Sequence, residues 1–466
     1  MPAGRPLRIA LVSPKGPLYR SKGGIFGKSL RYMPLTLTTL AALVPADLPH
    51  ELTLIDEGIE DVPDDLDVDL VGLTVITGTA PRAYELAARF RRRGVTVVLG
   101  GPHVTLDPDD ARPHADVIVC GYAEESWPQL LRDHVADALR PRYDQSPTLD
   151  LAGTPRARRD LLPRRKFLTD NVFEATRGCV HACDFCVVPS AWGRRPLQKP
   201  VAEVADDVRR HLAGKTGGGR RAIFVDLNLI ADRRYARELF AALTPLNVQW
   251  YGLATTLIGR DDGLLDAAAE SGCRGLLIGF ESISPTNLDL TRKGFNRPDD
   301  YAALVAKLHD RRIAVQGCFT FGLDHDTPDV FDDTARFAIE AKIDLPRFAI
   351  VTPFPGTTLH RRLEREGRIT DRDLGRYDGQ HVVFRPTNMS AGDLQCGTER
   401  AWRTAYSLRG IASRLRHSPA PLPVRLATNL GYRYYAHRLH RFYHCDSPAT
   451  APTWPSVPLT INGRAT

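Results

Sequence analysis

The chain has 466 residues, 43% hydrophobic and 25% charged, the balance of a soluble globular protein of roughly two to four domains. No apolar run reaches the roughly 18 residues that a membrane-crossing helix needs, and the opening "MPAGRPLRIALVSP" is broken too soon for a secretory signal, so the expectation is a cytoplasmic protein. The net charge of +7 does not point to nucleic acid: nine arginines and no acidic residue lie from Arg400 to Arg441, which leaves the rest of the chain at −2, and no polynucleotide-binding motif is present.

The first 140 residues alternate short apolar runs with helical stretches. The runs are "RIALVSP" (8–14), "HELTLID" (50–56), "DLVGLTVIT" (69–77), "TVVLGGPH" (96–103) and "DVIVCG" (116–121). "RAYELAARFRRRG" (82–94) has helical spacing and stops on Gly94. Buried strands alternating with helices predict a doubly wound parallel sheet, whose ligands bind beyond the carboxyl ends of the strands. The loops there are small and glycine-rich: "TGTAP" (77–81), "GGPHVT" (100–105) and "GYAEE" (121–125).

Residues 141–168, rich in Pro, Arg and Asp, read as a linker. A second alternating series follows: "NVFEATRG" (171–178), "AIFVDLNL" (222–229), "NVQWYGLAT" (247–255), "GLLIGFES" (275–282), "AVQGCFTFGL" (314–323) and "RFAIVTPFPGT" (347–357). Helical stretches such as 264–272 and 297–312 separate these runs, and six βα units predict a partial or full β/α barrel with its reactive loops on one face. Beyond about residue 385 the pattern is helical, and the tail from Ser447 looks loose.

The first barrel strand feeds "RGCVHACDFCVVP" (177–189), with three of the eight cysteines: Cys179, Cys183 and Cys186. Structural zinc takes four ligands, usually as two paired hooks, and here the second hook is missing. Cys120, Cys273, Cys318, Cys396 and Cys445 are scattered singly. Eight cysteines in a long chain without a secretory signal argue for reduced thiols. Three thiolates leave one metal position open.

Cys-x₃-Cys-x₂-Cys directly after a barrel's first strand, with the aromatic Phe185 before the last cysteine, resembles the radical S-adenosylmethionine (SAM) superfamily. The resemblance implies a [4Fe–4S] cluster on the three thiolates, with the fourth iron taking the amino and carboxylate groups of SAM. One electron, from a donor such as flavodoxin or ferredoxin, then cleaves a C–S bond to give an adenosyl radical. It also implies SAM contacts from Asp226, Asn228, Glu281, Ser282, Gln316 and Pro355, with Gly317 and Gly356 beside them. A strand-end Asp serves equally as a helix cap, and "PG" as an ordinary turn. Arg194 or Arg195 is either a partner of the SAM carboxylate or an exposed basic pair.

The doubly wound sheet ahead of this barrel resembles the cobalamin-binding radical SAM enzymes, over nearly all of residues 1–385. That resemblance places a corrin against Thr77, Gly78, Thr79, Gly100, Gly101, Pro102 and Gly121. The Asp-x-His-x-x-Gly motif that supplies a lower axial ligand is absent; His103 is the candidate substitute, but it follows a different strand, which favours a structural role or one toward corrin side chains over axial ligation. Either cobalamin binds without that motif or the sheet is corrin-free.

"RYDGQHVVFRPTNMSAGDLQCGTERAWRTAYS" (376–407) resembles the extension of the branch that includes hopanoid-lipid methylases. In "VRLATNLGYRYYAHRLHRFY" (424–443), Leu426, Leu430 and Tyr434 form a stripe that packs on the core or meets a membrane surface.

The expected fold is α/β: a B12-binding-like doubly wound domain (1–140), a linker (141–168), a partial (β/α)₆ radical SAM barrel (169–370), a mostly helical extension (371–446) and a tail (447–466). The expected activity is methylation of an unactivated carbon of a lipid or secondary metabolite through methylcobalamin and an adenosyl radical. The alternative is a radical SAM rearrangement or oxidation, with cobalamin as redox partner or without a corrin.

Overall fold

The computed structural model describes residues 5–16 and 31–439; Arg441, Cys445 and the tail 447–466 lie outside the described residues. β1 (Leu7–Ser13), β2 (His50–Asp56), β3 (Leu70–Thr74), β4 (Thr96–Gly100), β5 (Val117–Cys120) and β6 (Arg142–Asp144) form a parallel sheet in the order β2-β1-β3-β4-β5-β6. Its central strands are apolar on both sides because both faces are covered. Val12, Leu73, Val97 and Leu99 pack with Leu86 and Phe90 of the helix Ala80–Arg92. Ile9, Leu11 and Val98 pack with Leu37, Trp127 and Leu130 on the other face. β6 falls inside the stretch read as a linker. It is three residues long with only Tyr143 buried, too short to show a period.

β7 (Val172–Phe173) leads into an antiparallel ribbon of β8 (Thr176–Arg177) and β9 (Leu197–Gln198). β10 (Arg221–Phe224), β11 (Gln249–Ala254), β12 (Cys273–Glu281), β13 (Ala314–Phe321) and β14 (Arg347–Ile350) complete a second parallel sheet, ordered β14-β13-β12-β11-β10-β7. β7 and β14 are its edges and do not pair, so the six strands curl into an open barrel. Along β13 the half-exposed Gln316, Cys318 and Thr320 face the lumen, while Val315, Gly317, Phe319 and Phe321 are buried on the other side. Phe319, Phe321 and Phe348 stack there, with Phe331 edge-on to Phe321, under the outer helices.

After β14 the chain returns to the first sheet. Leu374 packs into its core, and Gly356 lies so close to the helix Pro102–Leu106 that an added Cβ would stand 2.4 Å from the Leu106 carbonyl oxygen. The helices Ala391–Ala405, Leu408–Leu415 and Leu422–Ala436 close the fold. Trp402 is 1% exposed, donates from its indole to the Phe348 carbonyl (2.9 Å) and stacks on Tyr406 and Tyr432. Of the two expectations for the stripe on the last helix, core packing does not hold: Leu426, Leu430 and Tyr434 are 37%, 52% and 53% exposed. Asn429, Tyr432 and Tyr435 hold the inner side. Two arginines of the basic run are tied inward: Arg414 is buried with its guanidinium on the Ala405 carbonyl and the Asn429 amide oxygen, and Arg433 donates to the Tyr406 carbonyl.

Candidate active site

The cysteine loop runs from Gly178, in a left-handed conformation (φ 81°), to the helix Val187–Trp192. All three thiols are free; Cys183 is buried, and burial pushes it up to about 12 and raises Cys186 as well. Such thiols ionise in place only beside positive charge or a metal. The side-chain amide of Asn228 donates toward Cys179 Sγ at 3.8 Å, while its own oxygen is buried without a partner. Among the described residues no three His, Cys, Asp or Glu side chains are grouped closely enough to share one metal ion. A four-iron cluster takes each thiolate on a different iron, so the donor set suits a cluster rather than a single ion.

Beside the loop lies a buried ion pair between Lys293 and Glu281. Burial alone would lower Lys293, but Glu281 and the Cys183 and Cys186 thiols hold it above its ordinary value. Glu281, at φ 66°, also accepts from the Thr320 hydroxyl (2.9 Å). Gly279 leaves room for the pair, since a Cβ there would stand 2.2 Å from Glu281 Oε1. The Lys293 ammonium lies 5.9 Å from the Phe185 ring. Sequence reasoning found Glu281 and missed Lys293, which lies twelve residues on in a loop with no spacing signal.

Asp226 is turned inward. Its carboxylate accepts from the Ala175 amide (3.1 Å) and from the amide and hydroxyl of Thr176 (the latter at 2.8 Å), tying β10 to the strand that feeds the cysteine loop. Burial, reinforced by Glu174, pushes it up to about 7 despite these bonds. Ser282 accepts from the Ser284 amide, Pro355 is buried, and Gln316 donates to the Tyr432 hydroxyl at 3.1 Å. Arg194 is tied to the Val180 carbonyl.

A second space, of about 1260 Å³ including the part open to solvent, separates the two sheets. Thr74, Gly100, Gly101, Pro102 and Gly121 line it from the first, Glu174, Thr176, Arg177, Trp192 and Leu227 from the second. Gly101 (φ 107°) could not carry a Cβ, which would stand 2.8 Å from the Val75 backbone. Glu124 Oε2, Trp127 Nε1 and Trp192 Nε1 are buried at this space without partners, which suits a large ligand with apolar faces and polar side groups. Such an arrangement fits a corrin. Thr77, Gly78 and Thr79 do not line it: Thr77 and Thr79 are buried, the Thr79 hydroxyl caps Ile76, and a Cβ on Gly78 would meet the Tyr377 carbonyl at 3.4 Å. His103 is wholly buried, with Nε2 shared by Asp110 (3.0 Å) and the Tyr84 hydroxyl (3.1 Å), a structural role.

The space and the cysteine loop are joined by one short helix. Cys186 begins it and Trp192 ends it, a rise of about 9 Å for six residues. The Trp192 indole stacks on Tyr122 of the first sheet's loop (5.2 Å, 2°). Buried Arg177, two residues before Cys179, pairs with Glu124 across the interface and with Glu174 at 2.7 Å.

The B12 binding domain family model matches residues 34–131, and the Radical SAM superfamily model matches residues 173–338. Bacteriochlorophyllide d C-12(1)-methyltransferase of Chlorobaculum tepidum is 30% identical over 402 residues, covering 83% of this chain and 85% of its own. Hopanoid C-2 methylase of Rhodopseudomonas palustris is 26% identical over 387 residues, covering 78% of this chain and 72% of its own. Among solved structures, the radical SAM methyltransferase TsrM of Kitasatospora setae, with cobalamin and a [4Fe–4S] cluster bound, superposes with a TM-score of 0.62 at 18% identity. That match covers 78% of this chain and 75% of TsrM.

Proposed function

The chain belongs to the cobalamin-dependent radical SAM methyltransferase family, and from that premise we propose that it methylates an unactivated carbon of a large, mostly apolar metabolite or lipid. The observation that carries the reading is the single helix linking Cys186 to Trp192, which sets the cysteine loop beside the space between the sheets. Its cofactors are a [4Fe–4S] cluster, SAM and cobalamin. When bound, they supply an adenosyl radical to the substrate and a methyl group to the carbon so activated.

Cys179, Cys183 and Cys186 hold the cluster in this reading, and Lys293 offsets the charge of the Cys183 and Cys186 thiolates. The Asn228 amide supports Cys179, and Glu281 and Ser282 face SAM. Gly100, Gly101, Pro102 and Gly121 let the backbone approach the corrin face, while the unpartnered Glu124, Trp127 and Trp192 atoms meet its polar side groups. The Tyr122–Trp192 stack excludes water between the two sites. The lumen residues Ile223, Val225, Leu253 and Leu277 present an apolar wall to the substrate. A flavodoxin or ferredoxin serves as electron donor. The outward stripe Leu426, Leu430 and Tyr434, with Arg438 donating to the Tyr434 hydroxyl just beyond the helix, suits peripheral contact with a bilayer.

Anaerobic reconstitution with iron, sulfide and hydroxocobalamin tests the core of this reading. About four irons and one cobalt per chain are expected, and Cys183→Ala is expected to lose the irons and keep the cobalt. Full activity without cobalamin would overturn the methyl-transfer route. Bacteriochlorophyllide d and a hopanoid are the first substrates to assay, with a gain of one methyl in product mass as the readout.

A further inference from the structure

Arg347 begins β14, an edge of the open barrel, and is in register with Cys318 on β13. Register partners in a parallel sheet project to the same side, and Cys318 shares its side with Gln316 and Thr320, whose hydroxyl reaches Glu281. The Arg347 guanidinium therefore belongs to the lumen face. It is exposed there and forms no hydrogen bond or ion pair with any described residue. By contrast, the buried cations Lys293 and Arg177 are each matched by carboxylates.

Four titratable groups lie within electrostatic reach of it: Tyr432, Cys318, Tyr435 and Tyr32. Tyr32 comes from the opposite border of the barrel's gap, because its backbone bridges Thr169 just ahead of the other edge strand, β7. Tyr432 and Tyr435 come from the closing helix, and the Tyr432 hydroxyl takes the Gln316 amide. The lateral gap between β7 and β14 is thus framed by tyrosines around one cation whose charge the described residues leave unmatched. A guanidinium recognises a carboxylate through its planar fork, and tyrosines along the same gap can cover the apolar body attached to it.

We propose that this gap admits a substrate bearing a carboxylate and that Arg347 binds that carboxylate. The inference rests on the reading of the barrel as the methyl-transfer site and narrows its substrate class to an apolar acid. Arg347 stands level with Cys318, two residues below Thr320, or about 7 Å along the strand. A carboxylate held there leaves the body of the molecule pointing up the lumen toward Glu281 and the cysteine loop. Two kinds of molecule share this chemistry, a tetrapyrrole acid and a long-chain lipid acid.

The test is equilibrium binding to the reconstituted holoenzyme of chlorophyllide a against its methyl ester, and of oleate against oleamide. Wild type is expected to prefer at least one acid over its neutral counterpart. Arg347→Gln is expected to weaken that acid on the order of ten- to a hundredfold, leave the neutral compound unchanged and so abolish the preference. Arg347→Lys should recover part of it. Unchanged iron content and far-UV circular dichroism would show that the variants fold. Dependence seen with chlorophyllide assigns a tetrapyrrole acid, and dependence seen only with oleate assigns a lipid acid. An acid preference that survives Arg347→Gln, or a wild type with no acid preference, overturns the proposal. Arg347-dependent acid binding without methylated product would instead sink the methyl-transfer reading and leave the carboxylate site standing.

Discussion

Asp226 shows how a residue can be legible in type and not in task. Its place at a strand end marks it from the sequence as a SAM contact or a cap, but its oxygens are taken by Ala175 and Thr176, fifty residues away in the chain. Burial raises its folded-state value to about 7 from an ordinary 3.8. Because folding holds the proton that the unfolded chain releases, this site contributes its full stability below about pH 4 and loses it as pH rises toward 7. In the apo-protein, Asp226→Asn is expected to flatten that part of the stability profile, with the variant gaining on wild type as pH rises. Thermal unfolding at intervals from pH 4.5 to 7.5 checks it, and parallel curves would show that Asp226 ionises normally. The three cysteines, in contrast, are legible because their spacing and strand context lie within ten residues. Lys293 and Arg347 are not, since what singles them out is a partner or its lack, fixed only when distant strands meet.

At the scale of elements, the parallel strands are legible because sheets covered on both faces need near-continuous apolar runs, and each of the eleven sequence runs overlaps a strand. β6 escapes because three residues cannot display a period, and the closing helix misleads because its Leu/Tyr stripe turns outward while aromatic residues hold it from the other side. Trp402 is the centre of that packing, touching Phe348, Tyr406, Tyr432 and Tyr435. Trp402→Ala is expected to cost about 3–5 kcal/mol and to free the last helix, read as earlier proteolysis near residue 420 and a lower urea midpoint. A different kind of contact governs the loop after β14. Gly356 has φ 77° and no room for a Cβ against the Leu106 carbonyl. Gly356→Ala should therefore destabilise the protein by about 1–3 kcal/mol and, if the space between the sheets holds the corrin as proposed, lower cobalamin retention, because Leu106 closes the helix that begins at Pro102 on the edge of that space. Equal cobalt content in variant and wild type would separate that loop from the corrin site.

For the molecule as a whole, two-cofactor chemistry needs the two sheets held at one fixed distance, and the interface is built from charge as well as from packing. Arg177 is buried between Glu124 of the first sheet's loop and Glu174 of the barrel, with its guanidinium 4.8 Å from the Tyr122 ring that stacks on Trp192. Removing one member of such a cluster costs more than the contact itself contributes, because it strands the opposite charge in a dry place. Arg177→Met leaves two carboxylates facing each other at the interface and is expected to destabilise the chain by about 3–5 kcal/mol. Glu124→Gln leaves Arg177 paired with Glu174 and should cost only about 1 kcal/mol. The same asymmetry should appear in cofactor content. Arg177→Met is expected to lose cobalt first, since Glu124, Trp192 and Arg177 all line the space between the sheets, while Cys179, Cys183 and Cys186 remain on the barrel and retain iron. Urea unfolding of both variants, with iron and cobalt analysis of the reconstituted proteins, measures this directly. Negligible losses in both variants would mean that the interface is held by the aromatic stack alone.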